Sequence, residues 1–262
     1  MGDSLAWWFE PVATRFATRA IVLRTVAYGE ADLVVTLLGA TTGRLSALAR
    51  GARKSARRFG GGLGMGAEGQ AALRERPGAD LLLLEEFDVQ QARLGLAGDM
   101  GKTAHAAYAL ELCDRLCPPR HAEPAVFDWL REFLLRLEAG RASAERLRVF
   151  ELGLLGRLGL APALERCAVC GRSDLGEENT RWHADEGGVL CASCARRGDV
   201  LSVSTRRTLA RLARMALADA EAANLDRETN AGCRRAILGL LRTHISGPLR
   251  SLDFIEKMGG DT

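Results

Sequence analysis

The chain has 262 residues, 47% hydrophobic, 26% charged and 5% aromatic, with 36 Lys and Arg against 33 Asp and Glu. That length suits one large domain or two ordinary ones, it can bury a core without covalent help, and the composition excludes a disordered or collagen-like chain. No apolar run approaches the roughly 20 residues that cross a bilayer, so the sequence predicts a soluble, cytoplasmic protein.

The first 18 residues read as a poorly ordered leader. Trp7, Trp8 and Phe9 are interrupted by Asp3 and Glu10, and no small-residue cleavage site follows an apolar core, which argues against a secretory signal. Residues 19–91 are strand-like. Ala20–Ala27, Asp32–Ala40, Arg44–Ala52, Glu68–Arg76 and Asp80–Val89 carry β-branched and aliphatic residues, separated by the turn sequences Tyr28-Gly29-Glu30, Thr42-Gly43 and Pro77-Gly78. Five short strands with hairpin links suit a closed OB-type barrel, because closure removes the unpaired edges of a flat meander.

Charge is concentrated in this part. Residues 1–80 carry a net +4, and the window holding Arg44, Arg50, Arg53, Lys54, Arg57 and Arg58 contains no acidic residue. Like charges so close repel one another, and an anion laid across them relieves the repulsion; the alternative is an ordinary solvated basic loop. A glycine-rich stretch, Gly60 to Gly66, follows directly.

From residue 92 to the end the period lengthens to between three and four. Ala104, Tyr108, Leu112 and Leu116 share one helical face, Val126, Leu130, Phe133 and Leu137 a second, and Leu147, Phe150, Leu154 and Leu158 a third. Pro118-Pro119, Gly140 and Gly159 are the stops. Two more helices are expected, Ser204–Ala218 with Ser204 as N-cap, and Glu228–Ile245. The fold class is therefore α+β, a five-stranded OB-type barrel followed by a mainly helical domain.

A cysteine module is inserted at about 163–200. Seven cysteines, an odd number with no export signal, favour a reducing compartment. Cys167-x-x-Cys170 and Cys191-x-x-Cys194, twenty residues apart, have the spacing of a four-cysteine zinc site, in which two tight turns aim four sulfurs at one ion. Four sulfurs close the coordination sphere and leave no place for an activated water, so the ion is structural. A zinc deaminase needs His-x-Glu and a proline before its second pair, whereas this chain has His183-Ala184-Asp185 and Leu190; His183 reads as a polar loop residue. Gly95 to Thr103 resembles a phosphate-cradling loop but has one residue too many, and Asp99 or Thr103 reads better as a helix start. No catalytic constellation stands out among His105, His121, His183 and His244, and the chain is not expected to be an enzyme. Cys113, Cys117 and Cys233 read as small hydrophobes.

In this order the features resemble the RecO family of bacterial DNA repair and recombination mediators. The likeness runs from about Arg19 to Ile255. It is carried by Ala20-Ile21-Val22-Leu23, Tyr28-Gly29-Glu30-Ala31-Asp32, Gly43-Arg44-Leu45, Gly51-Ala52-Arg53-Lys54, Arg58-Phe59-Gly60-Gly61, the paired cysteines and Gly247-Pro248-Leu249-Arg250-Ser251-Leu252. The leader and the bare glycine run depart from it. The resemblance implies a nucleoid-associated protein of double-strand break and gap repair. It implies binding and annealing of single- and double-stranded DNA, contacts with RecR and the C-terminal tail of single-stranded DNA-binding protein, and help in loading RecA. Arg44, Arg50, Arg53, Lys54, Arg57 and Arg58 are the expected DNA contacts, with ionic terms outweighing stacking because Tyr28, Phe59 and Phe87 are the few aromatic candidates. An apolar helical groove rimmed by Arg131, Arg136 or Arg141 could receive an acidic, apolar-ended tail, but an apolar helix face is more often core, and no residue is assigned to that contact. The competing class is a zinc-and-OB module acting on RNA in transcription or translation, because phosphates of either polymer look alike to arginine.

Overall fold

The computed structural model describes residues 14–59, 62–175 and 179–257. Residues 1–13, the bulk of the expected leader, and Gly60-Gly61 of the glycine run lie outside that description. Five strands, β1 (Arg15–Tyr28), β2 (Asp32–Gly39), β3 (Gly43–Ala49), β4 (Glu68–Arg74) and β5 (Leu82–Gln91), close into a barrel in the order β1-β2-β3-β5-β4. Closure rests on a parallel pairing of β3 with β5, Ala47 with Leu82 and Leu48 with Leu83. β1 is long enough to serve both ends of the sheet: its first half pairs with β4 and its second with β2, with a shift in register between Val22 and Arg24. It also begins at Arg15, ahead of the expected boundary at Arg19, because Arg15 to Thr18 continue the ladder opposite Ala71 to Arg74.

Alternation along β1 explains its unbroken apolar run. Ala20 and Val22 point into the barrel, while Ile21 and Leu23 point outward into the helical core. After β3 the chain makes one short helix, α1 (Ala56–Phe59), and Phe59 and Leu63 enter the barrel interior beside Phe87.

The helical part comprises α2 (Leu94–Ala97), α3 (Met100–Leu116), α4 (Pro124–Ala139), α5 (Ala144–Arg157), α6 (Val203–Leu212), α7 (Arg227–His244) and α8 (Arg250–Lys257). Asp99 caps α3 by accepting from Lys102 N, as its position suggested, and the Lys102 ammonium is held by the Glu138 carbonyl rather than facing a phosphate loop. α6 differs from expectation. Its N-cap is Ser202, whose hydroxyl accepts from Thr205 N, and it ends at Leu212 instead of running to Ala218. α8 was not foreseen. Its first amides, Arg250 N and Ser251 N, are held by the Glu111 carboxylate of α3 at 3.0 and 2.8 Å.

Barrel and helices are joined by a buried ionic cluster. Glu68 on β4 is 2% exposed and meets Arg19 of β1, Arg93 at 3.0 Å and Arg131 of α4 at 3.0 Å; Arg93 also reaches Glu138 at 3.3 Å. A second junction lies at Gly43, whose φ of +71° and clearance of 2.0 Å between a virtual Cβ and the His121 carbonyl admit no side chain.

Candidate metal centre and nucleic-acid interface

The cysteine module is built on a small antiparallel sheet, β6 (Thr180–His183), β7 (Gly188–Leu190) and β8 (Asp199–Leu201), ordered β7-β6-β8. Its two turns face one another across β7. In the first, Gly171 N donates to the Cys167 carbonyl and Cys167 N to the Arg172 carbonyl; Gly171 has φ of +74°, the left-handed geometry a knuckle needs. In the second, Cys194 N and Ala195 N both donate to the Cys191 carbonyl. The four Sγ atoms of Cys167, Cys170, Cys191 and Cys194 lie within 4.8 Å of one another, and Cys170 and Cys191 are 3.7 Å apart. A tetrahedron with zinc–sulfur bonds of about 2.3 Å has edges of about 3.8 Å. His183 stands at the end of β6, half-buried, in a strand rather than a loop, and is not part of the cluster.

The protonation of these thiols also suits a cation. At Cys167 burial opposes ionisation, but the amides of Cys170, Cys191 and Val169 outweigh it and bring the thiol down to about 6. Cys191 is lowered too, first by the Cys194 amide, whereas Cys194 is pushed up to about 12 by sharing its proton with Cys191 and Cys170. Four sulfurs this close cannot all ionise by themselves; a divalent ion among them removes the conflict.

The basic window is split by the fold. Arg44 opens β3 and is half-buried, its Nε donating to the Cys117 carbonyl at 2.9 Å and its Nη1 facing Asp114 at 3.4 Å. It serves the barrel–helix junction. Arg50, Arg53, Lys54, Arg57 and Arg58 are brought together, all exposed, on the segment between β3 and the barrel-filling Phe59. The segment is firmly held. Gly51 N donates to Asp32 Oδ1 at 2.8 Å, Arg53 N to the Ala31 carbonyl at 3.0 Å, and Lys54 N closes a turn on the Gly51 carbonyl. Arg58 folds back onto the Arg50 carbonyl at 2.6 Å and over the Phe59 ring at 5.1 Å. None of the five has a carboxylate ion-pair partner among the described residues, so their charges remain uncompensated at the surface.

Aromatic candidates divide as packing dictates. Phe59 and Phe87 are core, 1% and 0% exposed, and cannot stack on a base; Tyr28 is 59% exposed and pairs with Asp32, the residue that holds Gly51. Arg131, Arg136 and Arg141 each face a carboxylate, Glu68, Glu132 and Glu221 respectively.

Comparison with known proteins decides the family. The profile described as Recombination protein O N terminal matches residues 14–93, and that described as Recombination protein O C terminal matches residues 97–253. The chain belongs to the RecO family. It is 41% identical over 248 residues to the DNA repair protein RecO of Anaeromyxobacter sp. (strain K), covering 94% of this chain and 97% of that one. It is 34% identical to the DNA repair proteins RecO of Pelobacter propionicus and of Myxococcus xanthus, covering 93% and 94% of this chain and 97% and 99% of theirs. RecO membership gives the chain a role in DNA repair and recombination, and the OB-like barrel, helical region and four-cysteine cluster agree with the fold read from the sequence. Among the described residues no helix is long and apolar enough to cross a membrane.

Proposed function

We propose that this RecO-family chain is a nucleotide-independent DNA-binding mediator that grips phosphate backbones through Arg50, Arg53, Lys54, Arg57 and Arg58, while a zinc ion held by Cys167, Cys170, Cys191 and Cys194 stiffens the module beside α7. The observation that carries the reading is the gathering of five uncompensated cations on a segment pinned at both ends. A pinned segment presents charge without an ordering cost at each encounter. Arginine and lysine at phosphates position a strand but read no base, so binding is sequence-tolerant and covers single-stranded and duplex DNA.

Annealing follows from the same charges. Two complementary strands repel through their phosphates; lying against one cationic surface lowers that repulsion and lets bases find their partners, with no fuel consumed. A barrel domain that starts at Arg15 rather than Arg19 and runs to residue 91, and a helical domain at 92–262 with the zinc module at about 163–200, are part of this proposal, as are contacts with RecR and the tail of single-stranded DNA-binding protein that assist RecA loading. The deciding experiment anneals labelled complementary strands with the purified protein in the absence of nucleotide, with unlabelled RNA of the same sequence as competitor. Annealing without ATP, inhibited more strongly by DNA than by RNA, supports the reading; an ATP requirement or preference for RNA overturns it.

A further inference from the structure

Tyr28, at the end of β1, is the one exposed aromatic side chain among the described residues. Strand pairing turns it outward. Thr25 donates to the carbonyl of Leu63 in the barrel interior, and Ala27 pairs with Leu33, which packs on the same interior. Val26 and Tyr28 alternate with them and face away from the core. Nothing engages the ring. Among the described residues its hydroxyl has no hydrogen-bond partner, and the guanidinium groups that lie over rings, those of Arg19, Arg58 and Arg157, cover Phe127, Phe59 and Trp129. The next residue, Gly29, has φ of +63°, and a Cβ built on it would meet nothing beyond its chain neighbours within 4 Å, so space is open beside the ring.

Tyr28 also stands beside the basic segment. Asp32 of β2 pairs with Tyr28 and accepts from Gly51 N at 2.8 Å, which puts Tyr28 two strand spacings, about 10 Å, from the start of that segment. The turn that follows Tyr28 is fastened to the segment directly: Arg53 N donates to the Ala31 carbonyl, and Arg53 Nη1 to the Glu30 carbonyl at 3.2 Å. Ring and cations are therefore held at a fixed separation. A phosphate on Arg50 or Arg53 leaves the base of a neighbouring nucleotide within reach of the ring. The exposed Glu30 carboxylate repels phosphate at this end, so a strand meets Tyr28 with a base and keeps its phosphates on the arginines.

We propose that Tyr28 is a stacking platform for one base of a single strand and sets a preference for single-stranded over duplex DNA. The inference rests on the DNA reading above. Every base has a π face, so the platform tolerates any sequence. An unpaired base is free to lie on the ring, whereas a paired one must first be pulled out of its stack. The cations hold both polymers, and Tyr28 adds a salt-independent contribution for one of them, about tenfold in affinity.

The test measures affinities of the full chain, across salt, for a single-stranded oligonucleotide, for its duplex and for the same strand built of abasic sites. Tyr28→Ala is expected to weaken single-strand binding about tenfold, to change duplex and abasic binding by less than about twofold, and to leave the salt slope as it was; Tyr28→Phe is expected to bind as the parent does. Equal losses on single strand and duplex, an undiminished single-strand affinity, or a loss in Tyr28→Phe as large as in Tyr28→Ala overturns the platform. In the unaltered protein the abasic strand is expected to bind about tenfold more weakly than the strand with bases, and equal affinity for the two overturns the platform whether or not the variants fold. Arg53→Glu/Arg57→Glu reports on the surface itself. If single strand and duplex still bind it, the DNA reading fails whatever Tyr28 does; if both are lost and Tyr28→Ala changes neither, the surface stands and the platform falls.

Discussion

Removing the metal should unfold the knuckles and nothing else. The module's own apolar core is small, with Leu190 beside Cys167 and Cys191, whereas Trp182, Val189 and Leu201 of its sheet are packed into the main helical core. One fully buried leucine contributes about 2 kcal/mol, against about 10–16 kcal/mol of apparent binding energy for a structural zinc. On the zinc reading, the turns at 167–172 and 191–196 would owe their order to the ion. Stripping it also returns four thiols to a cluster in which Cys167 ionises near 6 and Cys194 resists ionisation up to about 12, so protons are taken up when metal leaves. The assay is hydrogen–deuterium exchange before and after chelation, with metal content followed on the same sample. One zinc per chain is expected, with protection lost at 167–172 and 191–196 and retained in β6 and β7, in the barrel and in α3 to α5. Full protection of the turns in metal-free protein would refute the reasoning, and so would collapse of the barrel.

Two further perturbations probe the frame. His105 is 1% exposed with neither ring nitrogen hydrogen-bonded, and burial, then the charges of Arg148 and Arg146, lower it to about 4. Its folded value lies below the unfolded 6.5, so the stability it confers is present above pH 6.5 and is lost as pH falls toward 4, by about 2 kcal/mol between pH 7 and 5. Glu151, raised by burial, titrates with the opposite sign, so the check is the difference in urea stability between parent and His105→Leu across that range; parallel profiles contradict it. Glu68→Gln leaves Arg19, Arg93 and Arg131 around a neutral side chain in a buried site, and a loss of about 3–5 kcal/mol in unfolding free energy is expected. A loss below about 1 kcal/mol removes this cluster from the account of barrel–helix docking.

Local signals made most of the fold legible. Turn pairs such as Thr42-Gly43 bounded the strands, and strand number with hairpin links pointed to closure, though only coordinates give the β3–β5 pairing that completes it. Cysteine spacing was legible because two-residue turns fix where sulfurs point, and the structure gathers all four. What escaped depends on partners distant in sequence. α8 takes its cap from Glu111, 139 residues earlier, so no motif announces it. Arg44 looked like its neighbours in the basic window, yet Cys117 and Asp114 claim it from 73 and 70 residues away. The Glu68 cluster joins residues 49 and 63 apart, and nothing in the local sequence around Glu68 sets it off from a surface glutamate. Ser202 rather than Ser204 caps α6, a choice between two serines separated by Val203 that depends on where β8 ends.

The salt dependence of DNA affinity tests the central claim most directly. Five phosphate contacts give a slope of log affinity against log salt of about −3.5 for a single strand and about −4.5 for duplex, a loss of roughly 100-fold or more between 50 and 200 mM. Replacing Arg53, Lys54, Arg57 and Arg58 by Ala is expected to reduce the single-strand slope by about 2.8. A parent slope near zero, or a quadruple variant that keeps both slope and affinity, places the DNA surface elsewhere.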